Sequence, residues 1–235
     1  MAFKEYYEID EKDYHRWEMK EIDSVIKEYI QSIKSNPYHR FLSWDYCFKA
    51  FGEEKNTRHT EVLALYLANW GMYRGSSGLL KTNHKVHTKA IDILYSPKAQ
   101  KIRCDQSKEV SPLHIQDILE IKNELCYHYS TIDFGTNQKD TIKITPTDTL
   151  ISKIMLGTLG CTPAYDTYTQ KMLSRKENTT KNFNHRSLEH FFQFAQKNSS
   201  SISKNQKYIQ KEINQYYPVM KVIDIYFWTL GNQLL

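Results

Sequence analysis

Val62-Leu63-Ala64-Leu65-Tyr66-Leu67-Ala68-Asn69-Trp70-Gly71-Met72-Tyr73 is apolar at nearly every position. A segment apolar almost all round reads as a helix buried on every side, so the stretch from about Arg58 to Arg74 is expected to be the central helix of the protein. Leu65 lies in its middle, and Leu65→Asp is expected to prevent stable folding by placing an unpaired charge in the core. Gly75-Ser76-Ser77-Gly78 breaks the pattern, because two glycines lose too much backbone entropy to favour a continuing helix.

Outward from this run the helical period recurs. Trp17, Ile22, Val25, Ile26, Tyr29, Ile30 and Ile33 line one stripe from about His15 to Lys34, and Asn36-Pro37 stops it. Ser43 opens a short helix carrying Trp44, Cys47, Phe48 and Phe51. Another helix begins near His87 and ends at Ser96-Pro97, and Ser111-Pro112 starts one reaching Tyr129. Ser130 to Lys143 is polar, with a short extended piece expected at Ile142 to Thr145. Thr145-Pro146-Thr147-Asp148 combines a cap, a proline and an acid, and Gly160 closes the helix that follows. Thr162-Pro163 reads as the next start and the segment around Phe191 as a further helix; Asn198 to Ser203 reads as a serine-rich hinge, and Pro218 leads the last helix. The expected fold is all-α: a single helical domain over 1–235 with about eight to ten helices, room for two packed halves, and its seam at 130–144.

Composition supports that class and removes others. The 17 Tyr and 10 Phe against 8 Gly and 6 Pro describe a turn-poor chain suited to long helices. No run approaches the roughly 18 apolar residues of a membrane span, and the acidic N-terminus lacks a secretory pattern. A cytoplasmic protein with no membrane partner is therefore expected. Cys47, Cys104, Cys126 and Cys161 form no CxxC pair and read as reduced, packing thiols. The net charge of +5 suits a phosphate-bearing partner without requiring one.

Nucleotide-binding loops, the HExxH pair, the GxSxG elbow and the kinase set are all missing. Three local constellations remain. Arg74, Ser76 and Ser77 follow a buried helix in a small-residue turn that could hold an anion. His84 and His87, flanked by Lys81, Lys85 and Lys89, form a basic stretch able to touch phosphate; no cysteine or carboxylate close by in sequence completes a metal set, so no metal or cofactor is expected. The third runs from Lys153 through Gly160 to Pro163-Ala164-Tyr165-Asp166.

The order of lysine, apolar helix, turn and Pro-x-Tyr-Asp in this third segment resembles the end of the catalytic region in helix-hairpin-helix DNA glycosylases. That resemblance implies that Asp166 supports cleavage of a glycosidic bond and that Lys153 attacks the sugar carbon, with Tyr165 beside them. Thr145-Pro146-Thr147-Asp148 stands where the family has a glycine-rich turn. Trp70 to Ser77, together with Thr147 to Asp166, also resembles a family of helical bacterial proteins; this carries no activity but groups both segments into one expected site. Arg74 and the loop through Ser77 are accordingly expected to face the turn from Gly160 to Asp166. Asp166→Asn is expected to leave stability nearly unchanged, since asparagine also caps a helix.

Three readings follow: a nucleic-acid-associated binding or regulatory protein, a base-excision enzyme, or a helical interaction scaffold. Nucleic acid and another protein of the same system are the partners these readings imply.

Overall fold

The computed structural model describes residues 21–74, 77–133 and 143–233. The expected helix start near His15, with Trp17, lies outside them, as do Ser76 and residues 134–142 of the expected seam. The described residues form eleven α-helices, three 3-10 helices and no strand. The all-α expectation therefore holds, with more helices than the eight to ten anticipated.

In chain order these are α1 (Ile22–Ser35), α2 (Leu42–Ala50), α3 (His59–Asn69), α4 (Thr88–Leu94), α5 (Pro97–Lys101), α6 (Ile115–Thr131), α7 (Asp148–Thr158), α8 (Thr167–Arg175), α9 (His185–Lys197), α10 (Ser199–Ile213) and α11 (Val219–Gln233). The extra helix is α5. Ser96 and Pro97, read as a stop, are its cap and first residue: the Ser96 side chain accepts from the Ala99 amide, and proline's missing N–H costs nothing there. The expected hinge at 198–203 is instead the first turn of α10, separated from α9 only by Asn198.

The centre of the molecule belongs to α7 and α11. Every residue of α7 from Leu150 to Thr158 is buried, and so is every residue of α11 from Met220 to Phe227. α11 packs on α1, α8, α9 and α10, while α7 packs on α2, α3 and α6. The run that reads as the central helix is shorter and less enclosed. Gly71, at φ 71°, ends α3; its amide donates to Ala68 O and the Met72 amide to Leu67 O, which satisfies the last free carbonyls. One face of α3 meets solvent, and Leu65 is 53% exposed. An apolar circumference made partly of alanines does not require burial on every side.

α3 and α7 approach closely at Gly157, where a Cβ would sit 2.4 Å from the Tyr66 ring. Thr147, two residues later than expected, caps α7 by accepting from the Leu150 amide, and Gly160 at φ 68° follows its end. The extended piece expected near Ile142 to Thr145 is represented by Lys143, which bridges to Asp133. Across this region Lys122 of α6 pairs with Asp148 of α7 at 2.9 Å, and one apolar cluster takes in residues from Ile22 to Leu230. No helix among the described residues is long and apolar enough to cross a membrane.

Candidate functional site

Between α7 and α8 the chain runs through 161–166 without helix, so the start expected at Thr162-Pro163 falls instead at Asp166, the N-cap of α8. Both sides pin this segment. Asp224 Oδ1 accepts from the Ala164 amide at 3.0 Å, Ser152 Oγ accepts from the Tyr165 amide at 2.7 Å, and Thr149 Oγ1 donates to Tyr165 O at 2.8 Å. Its end is thereby fixed against α7 and α11.

Two lysine–aspartate pairs converge there. Lys153 of α7 lies 3.3 Å from Asp166 Oδ2, and Lys221 of α11 lies 2.9 Å from Asp224 Oδ2. Lys153 is 4% exposed and Lys221 1%. Lysine is almost never this buried without a partner, because removing an ammonium from water costs several kcal/mol. Aromatic rings supply the rest of the surroundings: Lys153 Nζ is 4.7 Å from the Trp70 ring centre, and Lys221 Nζ is 5.1 Å from that of Trp44 and 5.8 Å from that of Trp70.

The two pairs and Trp70 line one cleft with Tyr66, Leu156, Ala164 and Trp228. It spans about 210 Å³ and is narrow, with room for little more than water. Trp70 and Trp228 stand edge to face across it, 6.3 Å apart at 89°. Trp70 Nε1 is buried without a hydrogen-bond partner among the described residues. Behind the cleft, the Tyr217 hydroxyl donates to Asp45 Oδ2 at 3.1 Å, while Asp45 Oδ1 has no such partner. Burial pushes the Asp45 carboxyl up to about 6, against the opposing pull of Tyr217 and Lys221. Burial, reinforced by the carboxylates of Asp45 and Asp224, also raises the Tyr29 hydroxyl.

Of the residues singled out in the sequence, Lys153 and Asp166 meet here. The two expected segments also meet, but through Trp70, four residues before Arg74; Arg74 and Ser77 do not line the cleft. Arg74 is exposed, and Ser77 donates to Met72 O and Arg74 O, closing its own turn. Tyr165 is buried in the core, bonded to Ser187 and stacked on Phe183. Lys81, Lys85 and Lys89 are exposed. His84 bonds Thr60 through Nδ1.

His87, expected on the basic surface, lies instead in the core at 0% exposure. Its two ring nitrogens meet the hydroxyls of Tyr73 and Tyr129 at 2.8 and 2.7 Å, and burial holds its pKa down at about 3. It is a neutral link between the chain after α3 and helix α6, and it cannot add to a basic patch. Among the described residues no group of three metal-type side chains is placed to hold an ion. Cys47, Cys104 and Cys161 are buried free thiols that burial pushes well above the usual range.

Lys221, Asp224, Trp228 and Asp45 escaped sequence reasoning, although one signal was present. Lys221 and Asp224 interrupt the otherwise apolar run from Val219 to Trp228 at i,i+3 spacing, which places them on one face of a stretch that has no other polar residue. Fold and site together define a helical protein with a charged, indole-walled centre inside its core. No protein-family model, curated protein or solved structure matches the chain.

Proposed function

We propose that this chain is a nucleic-acid-associated protein whose cleft receives a nucleobase. The carrying observation is the convergence of two buried lysine–aspartate pairs with Trp70 and Trp228 on one cleft. A base presents flat faces and an edge of alternating donors and acceptors. Indoles offer stacking of about 1–3 kcal/mol per base, while ammonium and carboxylate groups match the edge. The exposed Lys81, Lys85 and Lys89 supply charge for the phosphates of the same partner. Because the narrow cleft admits little more than a water, entry requires displacement of an indole, and both Trp70 and Trp228 are only partly buried.

Titration with single-stranded oligonucleotides, followed by tryptophan fluorescence at two salt concentrations, tests this reading. Quenching that weakens as salt rises, and that Trp228→Ala alters, supports it. Absence of quenching and of gel shift at low salt overturns it.

A second reading is favoured by the 3.3 Å approach of Lys153 Nζ to Asp166 Oδ2. An amine beside a carboxylate at the edge of a base pocket suits glycosidic cleavage, with the amine attacking the sugar carbon. Borohydride should then trap a covalent adduct between the protein and DNA containing a damaged base or an abasic site, and Lys153→Met should abolish it. Failure to trap removes the chemistry and leaves base binding standing.

A further inference from the structure

Arg40 lies in the turn just before α2, and its guanidinium carbon is 5.3 Å from the Trp70 ring centre, 5.9 Å from that of Phe41 and 6.0 Å from that of Trp228. Trp70 and Trp228 are the indoles that line the cleft, so Arg40 sits at its aromatic rim. Phe41 stacks on Trp70 at 5.7 Å and 7°, and meets Trp228 edge to face at 5.5 Å, which joins the three rings in one cluster. Arg40 itself is exposed. Its guanidinium makes no salt bridge with the described carboxylates, in contrast to Lys153 and Lys221 below it, each of which has an aspartate.

An arginine held against aromatic faces keeps its planar fork of N–H donors free at the edge. Such a fork matches the oxygens of a phosphate, and it lies at the mouth of a site whose floor is already charge-compensated. We infer that Arg40 is a phosphate-recognising residue at the rim of the cleft, so that the ligand is a base carrying a phosphate, as a nucleotide or nucleic-acid unit does, rather than a free base or nucleoside. This rests on the nucleobase reading of the cleft and names the part of the ligand outside it.

The test compares nucleosides, their 5′-monophosphates and inorganic phosphate as fluorescence titrants of the full chain, in wild type, Arg40→Gln and Arg40→Lys. Wild type should bind a monophosphate about tenfold more tightly than its nucleoside, equivalent to about 1.4 kcal/mol. Arg40→Gln should erase that difference by weakening the monophosphate, and Arg40→Lys should restore only part of it, since an ammonium lacks the fork. Because the side chain is exposed, both variants should stay folded, Arg40→Gln losing only the guanidinium's contacts with the rings. Equal preference for the monophosphate in wild type and Arg40→Gln overturns the inference alone, as does nucleoside binding with no phosphate preference. Tight binding of inorganic phosphate by itself, unaffected by Arg40→Gln, also overturns it. No response to any nucleoside, nucleotide or oligonucleotide overturns the nucleobase reading, and the inference with it.

Discussion

Asp166 uses its two carboxylate oxygens differently. Oδ1 accepts from the amides of Tyr168 and Thr169 at 3.2 and 3.1 Å and so caps α8, while Oδ2 faces Lys153. The expectation that Asp166→Asn leaves stability nearly unchanged rests on the first duty alone. An asparagine keeps the cap but strands a buried ammonium, a loss of about 3–5 kcal/mol. Asp166→Asn should therefore lower the urea midpoint clearly, and adding Lys153→Met should recover most of the loss by removing the stranded charge. A double variant as unstable as the single one would show that the pair is not coupled. Asp45 presents the opposite case, since its carboxyl is raised from 3.8 unfolded to about 6 in the fold by burial. The folded state then holds the proton more tightly, so its contribution is complete below about pH 4 and is lost as pH rises through 6. Urea melts of wild type and Asp45→Asn should diverge across that window, with wild type losing ground. Parallel curves would contradict the burial argument.

At the scale of elements, α3 shows how far an apolar pattern constrains a helix. Leu63 and Leu67 are fully buried, whereas Leu65 is half-exposed between Ala64 and the solvent-facing Ala68. Leu65→Asp should cost less than about 1 kcal/mol, mostly helix propensity and repulsion from nearby Glu61. Leu63→Asp should abolish cooperative folding by burying an unpaired charge. Circular dichroism melts of the two variants separate these outcomes, and a natively melting Leu63→Asp would place the core elsewhere. Local chemistry was read well where it was self-contained, as at Gly160 and Ser111-Pro112. It was misread at Ser96-Pro97, because serine followed by proline both ends one helix and caps the next. The serines after Asn198 predict a hinge, but their weak helix preference is overridden once Ile202 and Ile209 enter the core.

For the whole molecule, α1 is tied to α10 at one end by Asp23 and at the other by the Lys34–Glu212 pair at 2.6 Å. Asp23 accepts from Ser201 Oγ and Asn205 Nδ2, each at 2.7 Å, and pairs with Lys204. Hydrogen bonds from Lys204 and Ser201 lower its pKa from 3.8 to about 2. The lowered folded value means the contribution is present above about pH 4 and is lost as pH falls towards 2. Replacing Asp23 by Asn should therefore reduce stability at neutral pH and flatten the acid limb between pH 4 and 2. An unchanged acid limb would show that the α1–α10 contact does not depend on this charge. Because α10 and α1 both pack on α11, loosening this contact also bears on the helix that carries Lys221 and Asp224.

The sequence by itself determined the class of fold, since helical periods, caps and glycine stops depend on residues a few positions apart, and these survive in α1, α6, α7 and α11. It also singled out Lys153 and Asp166, through the order of lysine, apolar helix, turn and Pro-x-Tyr-Asp that resembles the DNA glycosylases. Only the tertiary structure decided that α7 and α11, not α3, occupy the centre, that His87 is buried and neutral, that Lys221, Asp224 and Trp228 join the same cleft, and that Arg40 packs on its indoles. Burial and charge pairing are set by which helix faces meet, and those faces bring together residues as far apart as Arg40 and Trp228. No pattern within one helix specifies that meeting; it follows from how all the apolar surfaces are enclosed at once.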